Sequence, residues 1–408
     1  MPLTRSLLSL LVLILFAPGC RAPSARQNPP FAGASAPFPI GIFGVPSTND
    51  FPRLKEAGFN TIVGRADQPY LDAAYAVGLR VLAEPGTQAG PEFDPAVLAK
   101  TAGSLDRHPA LWAWYLCDEP DLNLVSPSEV SLAHRTLRTA GAHKPGAITL
   151  CQGSQALDYA ARTDFLLIDR YPIPWLPLAN FGQHVRLARF AAGEDKTLIA
   201  IVQAFDWTSF KDLLSVPGPF RPPTAAEMRC MTYDALARGA DGIFYYEFDG
   251  GWKIQQHSEV WQALQSVVKE VGERRPLFQG KRLWWGKVHD FGDRRSGFNA
   301  ALESSVTSTL LAVVAGNSSV PAGRYIVAVN NTDRSLEYRF LLPAGSPGSN
   351  RGTRPPGRSS TPRRGGSQMP AAGEVVAVLG EERAVPVSRH WISDSFGPYA
   401  VHIYGPLP

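Results

Sequence analysis

The 408-residue chain has only four cysteines, and this scarcity excludes several kinds of protein. With Cys20 in the amino-terminal segment, an odd number remains, so a complete disulfide framework is excluded. No Cys-x-x-Cys or His-x-x-x-His pair occurs, so the usual spacing of zinc ligands is missing. We expect Cys117, Cys151 and Cys230 to be buried free thiols, with a Cys117–Cys151 bridge as the alternative. No metal or other cofactor is predicted.

Long apolar runs are also missing, except at the amino terminus. Arg5 precedes the apolar stretch Ser6–Phe16, which is too short to span a bilayer and is typical of an export signal. The following Gly19-Cys20 pair resembles a bacterial lipobox, in which the cysteine is lipidated. We predict a lipoprotein-type signal peptide over 1–20, a flexible tether over 21–37 and a membrane anchor at Cys20 in the cell envelope. Full secretion, or release into the periplasm, is the alternative.

The excess of positive charge over negative charge lies in a single segment. Residues 344–368 carry five arginines and no acid, which is more than the whole formal net charge of +4. Proline, glycine and serine dominate this stretch, so it cannot bury enough apolar surface to fold, and we predict a disordered insertion over 344–370. Since no aromatic residues interleave with the arginines, a nucleic-acid partner is not expected.

Eight short apolar runs alternate with helical stretches between residues 38 and 275. Several of the helical stretches end in glycine, which tolerates the left-handed conformation just past a helix. Strand–helix alternation predicts parallel strands, and eight units in about 240 residues match a (β/α)8 barrel. A doubly wound open sheet is the competing fold, but no Gly-x-Gly-x-x-Gly follows the first run. The predicted strands are Pro39–Val45, Asn60–Gly64, Arg80–Ala83, Leu111–Leu116, Ala147–Cys151, Phe165–Ile168, Leu198–Val202 and Gly242–Tyr246.

The pattern changes after about residue 275. A strand-like run at 323–333 leads into a turn, and Leu336, Tyr338 and Phe340 then alternate with polar neighbours. Further short runs cover 374–379 and 399–404. Alternation with period two predicts antiparallel strands with one face buried. Residues 276–408 are therefore predicted to form a small all-β sandwich domain after the barrel.

The most informative run is Leu111–Pro120, an aromatic and apolar stretch that ends in Asp118, Glu119 and a proline. In a (β/α)8 barrel the carboxyl ends of the strands surround the active site. A glutamate placed against Trp and Tyr is a candidate for a raised pKa, which suits a general acid. Alternatively, one of the two acids caps the next helix.

The Trp-Tyr-x-x-Asp-Glu-Pro ending resembles that of clan A-type glycoside hydrolases and their uncharacterised bacterial relatives, many of which also carry a carboxy-terminal β-sandwich. The resemblance implies that Glu119 is the acid/base, with Asp118 in the place of the usual Asn. It also implies a carbohydrate substrate. The clan's nucleophile is a Glu that ends the seventh strand, and here the corresponding residue is Gln203. An amide cannot attack the anomeric carbon as a carboxylate does.

A second carboxylate must therefore come from another strand. Because residues two apart share one face of a strand, Cys117 and Glu119 are expected to face the barrel mouth, as are Asp169 and Tyr171 on the sixth strand. The same argument directs Tyr245 and Glu247 of the eighth strand into the mouth. We expect Glu247 to be the partner of Glu119, with Asp169 as the alternative. A Glu119–Glu247 pair favours inversion, whereas Glu119–Asp169 permits the shorter spacing of retaining enzymes.

Aromatic and polar side chains beyond the strand ends complete the predicted site. Flat rings stack on the apolar faces of sugars while polar neighbours bind hydroxyl groups. The predicted substrate-binding residues are Asp118, Tyr171, Trp175, Gln203, Trp207, Tyr245 and Trp252. The hypothesis is a glycosidase that cleaves O-glycosidic bonds of a poly- or oligosaccharide, with catalytic residues Glu119, Glu247 and Asp169. A non-catalytic carbohydrate-binding barrel of the cell envelope is the alternative.

Overall fold

The computed structural model describes residues 38–213, 218–285, 305–342, 375–388 and 391–407. The predicted export signal, tether and lipidation site at Cys20 lie outside these residues, as does the arginine-rich insertion over 344–370. No helix in the described ranges is both long enough and apolar enough to cross a membrane. The cysteines that the ranges include, Cys117, Cys151 and Cys230, are free thiols.

Eight strands of the described chain form a closed barrel, which confirms the predicted (β/α)8 fold. Each strand pairs in parallel with its successor, and the eighth returns to pair with the first, with Ile40 opposite Ile243. The strands are β1 Ile40–Ile42, β2 Thr61–Arg65, β3 Arg80–Glu84, β4 Leu111–Cys117, β5 Gly146–Leu150, β6 Phe165–Asp169, β7 Thr197–Gln203 and β8 Gly242–Tyr246.

Helices connect the strands, and their ends follow the signals in the sequence. Ser126 and Glu129 form a reciprocal capping box at the start of α4, and Thr224 and Glu227 form another at the start of α7. The helices are α1 Phe51–Glu56, α2 Gln68–Ala76, α3 Pro95–Leu105, α4 Pro127–Thr139, α5 Ala156–Tyr159, α6 Ala179–Ala192, α7 Ala225–Ala237, α8 Ser258–Glu273 and α9 Arg275–Gln279.

The barrel interior is filled by large apolar side chains, so it is a core and not a pore. Phe244 of β8 is one of these side chains, and Gly41 of β1 leaves room for its ring, because a Cβ atom at position 41 would lie 2.4 Å from it. The interior residues are Phe43, Val63, Leu82, Ala113, Tyr115, Ala147, Phe165, Leu167, Ile199, Ile201 and Phe244. The carboxyl end of this core is the floor of the candidate site.

Two of the predicted strand faces are wrong. In β8 the interior residues are Phe244 and Tyr246, whereas Tyr245 points outward, where its hydroxyl lies 3.1 Å from that of Thr232 on α7. In β4 the pairing register with β5 shifts between Tyr115 and Cys117, and Cys117 packs with the outer core. Both faces of a parallel barrel strand are apolar, so the hydrophobic pattern does not reveal which face is the inner one.

The second domain is all-β, as predicted, and its eight described strands form one antiparallel series in the order β12-β15-β14-β13-β16-β11-β10-β9. The two faces of β11 bury different residues: Val327 packs toward the barrel, while Ile326 packs into the domain's own core. The strands are β9 Lys281–Trp285, β10 Val306–Val313, β11 Gly323–Asn330, β12 Leu336–Leu341, β13 Val375–Val378, β14 Arg383–Ser388, β15 Trp391–Phe396 and β16 Val401–Leu407.

Helix α7 joins the two domains. Its barrel side packs on β7 and β8, and its outer side is covered by β10, β11 and β16. Arg238 donates to the hydroxyl of Thr307 at 2.8 Å, and Arg229 donates to the carbonyl of Val401 at 3.3 Å. Arg229 also forms an ion pair with Glu270 of α8. The described barrel and sheet therefore share one continuous apolar core.

Candidate active site

Glu119 lies immediately beyond β4, at the carboxyl end of the barrel. Its backbone has a φ of 41°, in the left-handed region that residues other than glycine seldom adopt. The carbonyl of Glu119 accepts hydrogen bonds from the backbone N–H groups of Leu122 and Asn123, at 3.0 and 2.9 Å. These bonds fix the tight turn after the strand, and the Glu119 side chain is only partly exposed.

The structure brings the carboxyl groups of Glu119 and Asp169 together. Asp169 ends β6, faces the barrel mouth as predicted and is 5% exposed. Oxygen atoms of both carboxyl groups and the sulfur of Cys151 all lie within 4.8 Å of one another. The Glu119–Asp169 pair, given above as the alternative, is therefore the one that the fold assembles.

Proximity and burial make the two carboxyl groups hold a proton. Burial raises the pKa of Glu119 to about 7, and the negative charge of Asp118 adds to this effect. Burial, followed by the charge of Glu119, raises the pKa of Asp169 well above its usual range. Two like charges in contact inside a desolvated pocket cannot both form readily, so the pair keeps at least one proton at neutral pH.

Asp118 is positioned beside the pair by the floor of the barrel. The Tyr115 hydroxyl donates to its carboxylate at 2.5 Å and lies 2.6 Å from the hydroxyl of Thr149 on β5. The backbone N–H of Asp118 donates to the side chain of Gln88 at 3.2 Å. Burial raises the pKa of Asp118, and the hydrogen bond from Tyr115 opposes that rise, so the carboxyl group of Asp118 has a partner within the protein.

Cys151 belongs to the site, whereas the sequence indicated only a buried free thiol; in the structure the thiol is free and partly exposed. Asp121 accepts the backbone N–H groups of Cys151 and Gln152, at 3.1 and 2.7 Å, and so fixes the end of β5. Burial raises the pKa of the Cys151 thiol to about 12, and the charge of Asp169 adds to this. Glu119, Cys151 and Asp169 are the described residues whose ligand atoms are close enough to hold a metal ion. Its place as the last residue of the fifth predicted strand, at the carboxyl end, was the signal that could have identified Cys151.

An aromatic wall, formed by Tyr171, Phe205, Trp207 and Tyr246, stands beside the acid pair. The Tyr171 and Tyr246 rings are 5.6 Å apart, and Tyr171 lies 6.1 Å from Trp207. Trp175, 41% exposed, extends this wall outward through its contact with Trp207 at 5.7 Å. The predicted residues Tyr171, Trp175 and Trp207 therefore lie together at the barrel mouth.

Glu247, the partner first expected for Glu119, is directed elsewhere. It is 2% exposed, and its carboxylate accepts the backbone N–H of Trp252 at 2.8 Å. A Cβ atom at Gly250 would lie 1.8 Å from Glu247 Oε2, so this glycine lets the loop close around the carboxylate. Burial raises the pKa of Glu247, and hydrogen bonds from Trp252 and Tyr246 oppose that rise. Glu247 thus organises the loop after β8.

Gln203, at the end of β7, is fully buried and bound to backbone groups. Its amide nitrogen donates to the carbonyls of Ile173 and Phe205, at 2.9 and 3.2 Å, and its oxygen accepts the N–H of Ile173 at 2.9 Å. The predicted substrate contact is therefore not available in this geometry. Gln203 instead holds the loop after β6 in place.

Two predicted aromatic contacts also belong to the protein core. Tyr245 is fully buried on the outer face of β8, one residue away from Tyr246, which occupies the mouth. Trp252 is 5% exposed and stacks on His257 with ring centroids 4.1 Å apart. Loop position alone did not distinguish Trp252 from the aromatic residues that line the mouth.

The fold resembles those of solved glycoside hydrolases. An α-amylase from Geobacillus thermoleovorans matches with a TM-score of 0.51 and 10% identity over 90% of this chain and 97% of that one. An Anoxybacillus α-amylase matches with a TM-score of 0.50 and 9% identity over 88% and 90% of the two chains. The match to a β-galactosidase from Marinomonas ef1 has a TM-score of 0.45 and 12% identity, and it covers 58% of this chain and 60% of that enzyme.

No protein-family model matches the chain, and no curated protein sequence is similar to it. What the comparisons show is the architecture, a (β/α)8 barrel followed by an all-β domain, shared with glycoside hydrolases at very low sequence identity. The chemistry must be argued from the residues of this chain.

Proposed function

We propose that the protein hydrolyses O-glycosidic bonds of a poly- or oligosaccharide, with Glu119 as the proton donor. The observation that carries the proposal is the position of the Glu119 and Asp169 carboxyl oxygens within 4.8 Å of each other in a buried part of the barrel mouth. A carboxyl group whose pKa is about 7 is protonated in a large fraction of molecules at neutral pH, and it can donate to a leaving oxygen.

The surroundings of the pair support a sugar ligand. The aromatic wall offers flat apolar faces beside a group of polar side chains, which is the usual composition of a carbohydrate site. The Geobacillus α-amylase, which has the same architecture, was solved in complex with acarbose. A carbohydrate in the mouth of this barrel would lie between the aromatic wall and the acid pair.

The test is release of reducing ends from a panel of glycans and aryl glycosides. We expect activity in the wild type, loss of at least about 100-fold in Glu119→Gln for natural leaving groups, and a comparable loss in Asp169→Asn. Glu259→Gln on the exposed surface of α8 is the matched control and should retain full activity. No release by the wild type from any member of the panel would overturn the proposal.

A non-catalytic carbohydrate-binding barrel is the second candidate function. The observation that favours it is Gln203, which stands at the position where the resemblance implies a nucleophile. Both the nitrogen and the oxygen of its side-chain amide are hydrogen-bonded to backbone groups. Saturable binding of an oligosaccharide, measured by calorimetry, together with no release of reducing ends would support this function.

We further propose that the protein is exported and anchored through a lipid on Cys20. The short apolar stretch and the Gly19-Cys20 pair support this location. Expression of Cys20→Ala should move the protein from the detergent-extracted membrane fraction to the soluble fraction. Equal partitioning of both forms into the soluble fraction would contradict the anchor.

A further inference from the structure

A glycosidase needs a nucleophile as well as a proton donor, and the described site holds none in the usual place. Two-carboxylate mechanisms separate their acids by about 5–5.5 Å for retention, or about 6.5–9.5 Å when a water stands between them. The carboxyl oxygens of Glu119 and Asp169 instead lie within 4.8 Å of each other, and the pKa of each group is influenced by a side-chain hydrogen bond with the other. This spacing is shorter than those at which an anomeric carbon or an attacking water stands between two catalytic carboxylates.

The other expected nucleophile positions are already engaged. Gln203 is an amide held by the backbone, and Glu247 is turned into its own loop by the N–H of Trp252. Asp118 accepts the Tyr115 hydroxyl at 2.5 Å. The attacking atom is therefore best supplied by the substrate itself.

Asp169 provides a second and independent observation. Its Oδ1 atom is buried without a hydrogen-bond partner, on a side chain that is 95% buried, as its 5% exposure shows. A buried carboxylate oxygen without a donor is costly, so the site is built to receive a donor from a ligand. Tyr171 hydrogen-bonds the carboxyl group of Asp169, and the rings of Tyr171 and Tyr246, 5.6 Å apart, offer apolar contact at the mouth for a small group such as a methyl.

We propose that the substrate is a glycoside of a 2-acetamido sugar whose acetamido group acts as the nucleophile. This inference rests on the proposed function. The amide N–H would donate to Asp169, and the acetyl methyl would contact the Tyr171 and Tyr246 rings. An acetamido group on C2 can attack C1 only from the face opposite the leaving group, so the substrate is a 1,2-trans glycoside, a β-glycoside in the gluco and galacto series.

The chemistry balances with water as the only co-reactant. The acetamido carbonyl oxygen bonds to C1 while the C1–O glycosidic bond breaks, and the Glu119 proton passes to the leaving oxygen. Asp169 accepts a hydrogen bond from the amide N–H, which becomes more acidic as the oxazolinium ring forms. Water then attacks C1 and gives a proton to Glu119. The bond between C1 and the former acetamido oxygen of the oxazolinium ring breaks. The acetamido group is restored, and the anomeric configuration is retained.

The experiment compares matched p-nitrophenyl β-glycosides of N-acetylglucosamine, N-acetylgalactosamine, glucose and galactose. We expect kcat/KM to be at least about 100-fold higher for the acetamido sugars. Replacing the acetyl methyl hydrogens stepwise by fluorine weakens the carbonyl nucleophile, so kcat should fall with each fluorine. Asp169→Asn should lower kcat by about 100-fold, a loss like that of other groups that stabilise developing charge.

The outcomes separate this inference from the proposed function. Equal or faster hydrolysis of the glucoside and galactoside, or trapping of a carboxylate of the protein by a 2-deoxy-2-fluoroglycoside, would overturn the inference and leave a glycosidase in place. A rate that does not change across the fluoroacetyl series would also overturn it. Hydrolysis of neither class of substrate, nor of any glycan in the panel above, would overturn both proposals.

Discussion

The acid pair couples two residues that are 50 positions apart in sequence, and its behaviour depends on which neighbours carry charge. Burial is the largest cause of the raised pKa of Glu119, and the Asp118 charge is the next. Asp118 follows β4 directly, its carboxylate accepts a hydrogen bond from Tyr115, and its charge raises the pKa of Glu119. The pKa of the proton donor Glu119 is thus raised by Asp118, which stands where the glycoside hydrolases that the sequence resembles have an asparagine.

This tuning predicts the pH dependence of hydrolysis. Glu119 must be protonated to donate, so kcat/KM should fall as the pH rises through about 7. Asp118→Asn removes a negative charge and should move this fall to lower pH. A pH–rate profile of both proteins on one aryl glycoside checks the shift. A profile of wild type that stays flat between pH 5 and about 9 would contradict the role of Glu119.

Gln203 gives a prediction of a different kind. Replacing it by Glu would place a carboxylate against the carbonyl oxygens of Ile173 and Phe205, in a fully buried position. We expect a loss of about 2–4 kcal/mol in the free energy of unfolding, since a buried unpaired acceptor is costly, and no gain in hydrolysis. Urea denaturation measures the loss, and Gln262→Glu on the exposed face of α8 is the matched control. Activity gained by Gln203→Glu would show that the position is a usable nucleophile site.

Among the strands, β8 shows that sequence patterns predict the position of a strand but not which of its faces points into the barrel. The apolar runs and the glycines at the helix ends located all eight barrel strands, because the residues of each segment indicate by themselves where the chain is buried and where a helix ends. The inward face of β8 was missed by one residue, since Tyr245 and Tyr246 are equally apolar and both sides of the strand are covered. In β4 the register shift after Tyr115 removed Cys117 from the interior while leaving Glu119 at the mouth. Such a shift depends on pairing with β5 and has no local signal.

The two adjacent tyrosines of β8 form a matched pair for experiment. Tyr246→Phe removes a hydroxyl that hydrogen-bonds Glu247 beside the acid pair, so we expect kcat/KM to fall by about tenfold with the fold preserved. Tyr245→Phe removes only the contact with Thr232 and should cost about 1 kcal/mol of stability with unchanged kinetics. The reverse assignment of the two effects would contradict the observed face of β8.

The two domains of the described chain share one apolar core. The carboxy-terminal sheet was predicted as all-β, but four of its strands, β9, β10, β14 and β15, were not recognised. The sequence of β10, VTSTLLAV, does not alternate strictly between apolar and polar residues, and β14 contains a proline. That one face of β11 belongs to the barrel core could not be deduced either, because alternating burial looks the same whichever partner covers it.

The shared core predicts that the two domains unfold together. Arg229 and Arg238 bond across the boundary, and Cys230 lies 3.4 Å from the carbonyl of Asn330. Calorimetry of the full chain should show a single transition whose calorimetric and van't Hoff enthalpies agree. Two resolved transitions would show that the domains are energetically independent.

Because α7 is covered on both sides, it should tolerate fewer amino-acid substitutions than the other helices of the barrel. Ten of the thirteen residues in this helix are buried, whereas α4 of the same barrel buries only Val130, Ala133 and Leu137. In a library with every substitution at every position, α4 would accept charged residues over most of its length. Helix α7 would reject them at most positions after its first turn, as does a helix at the centre of a much larger protein.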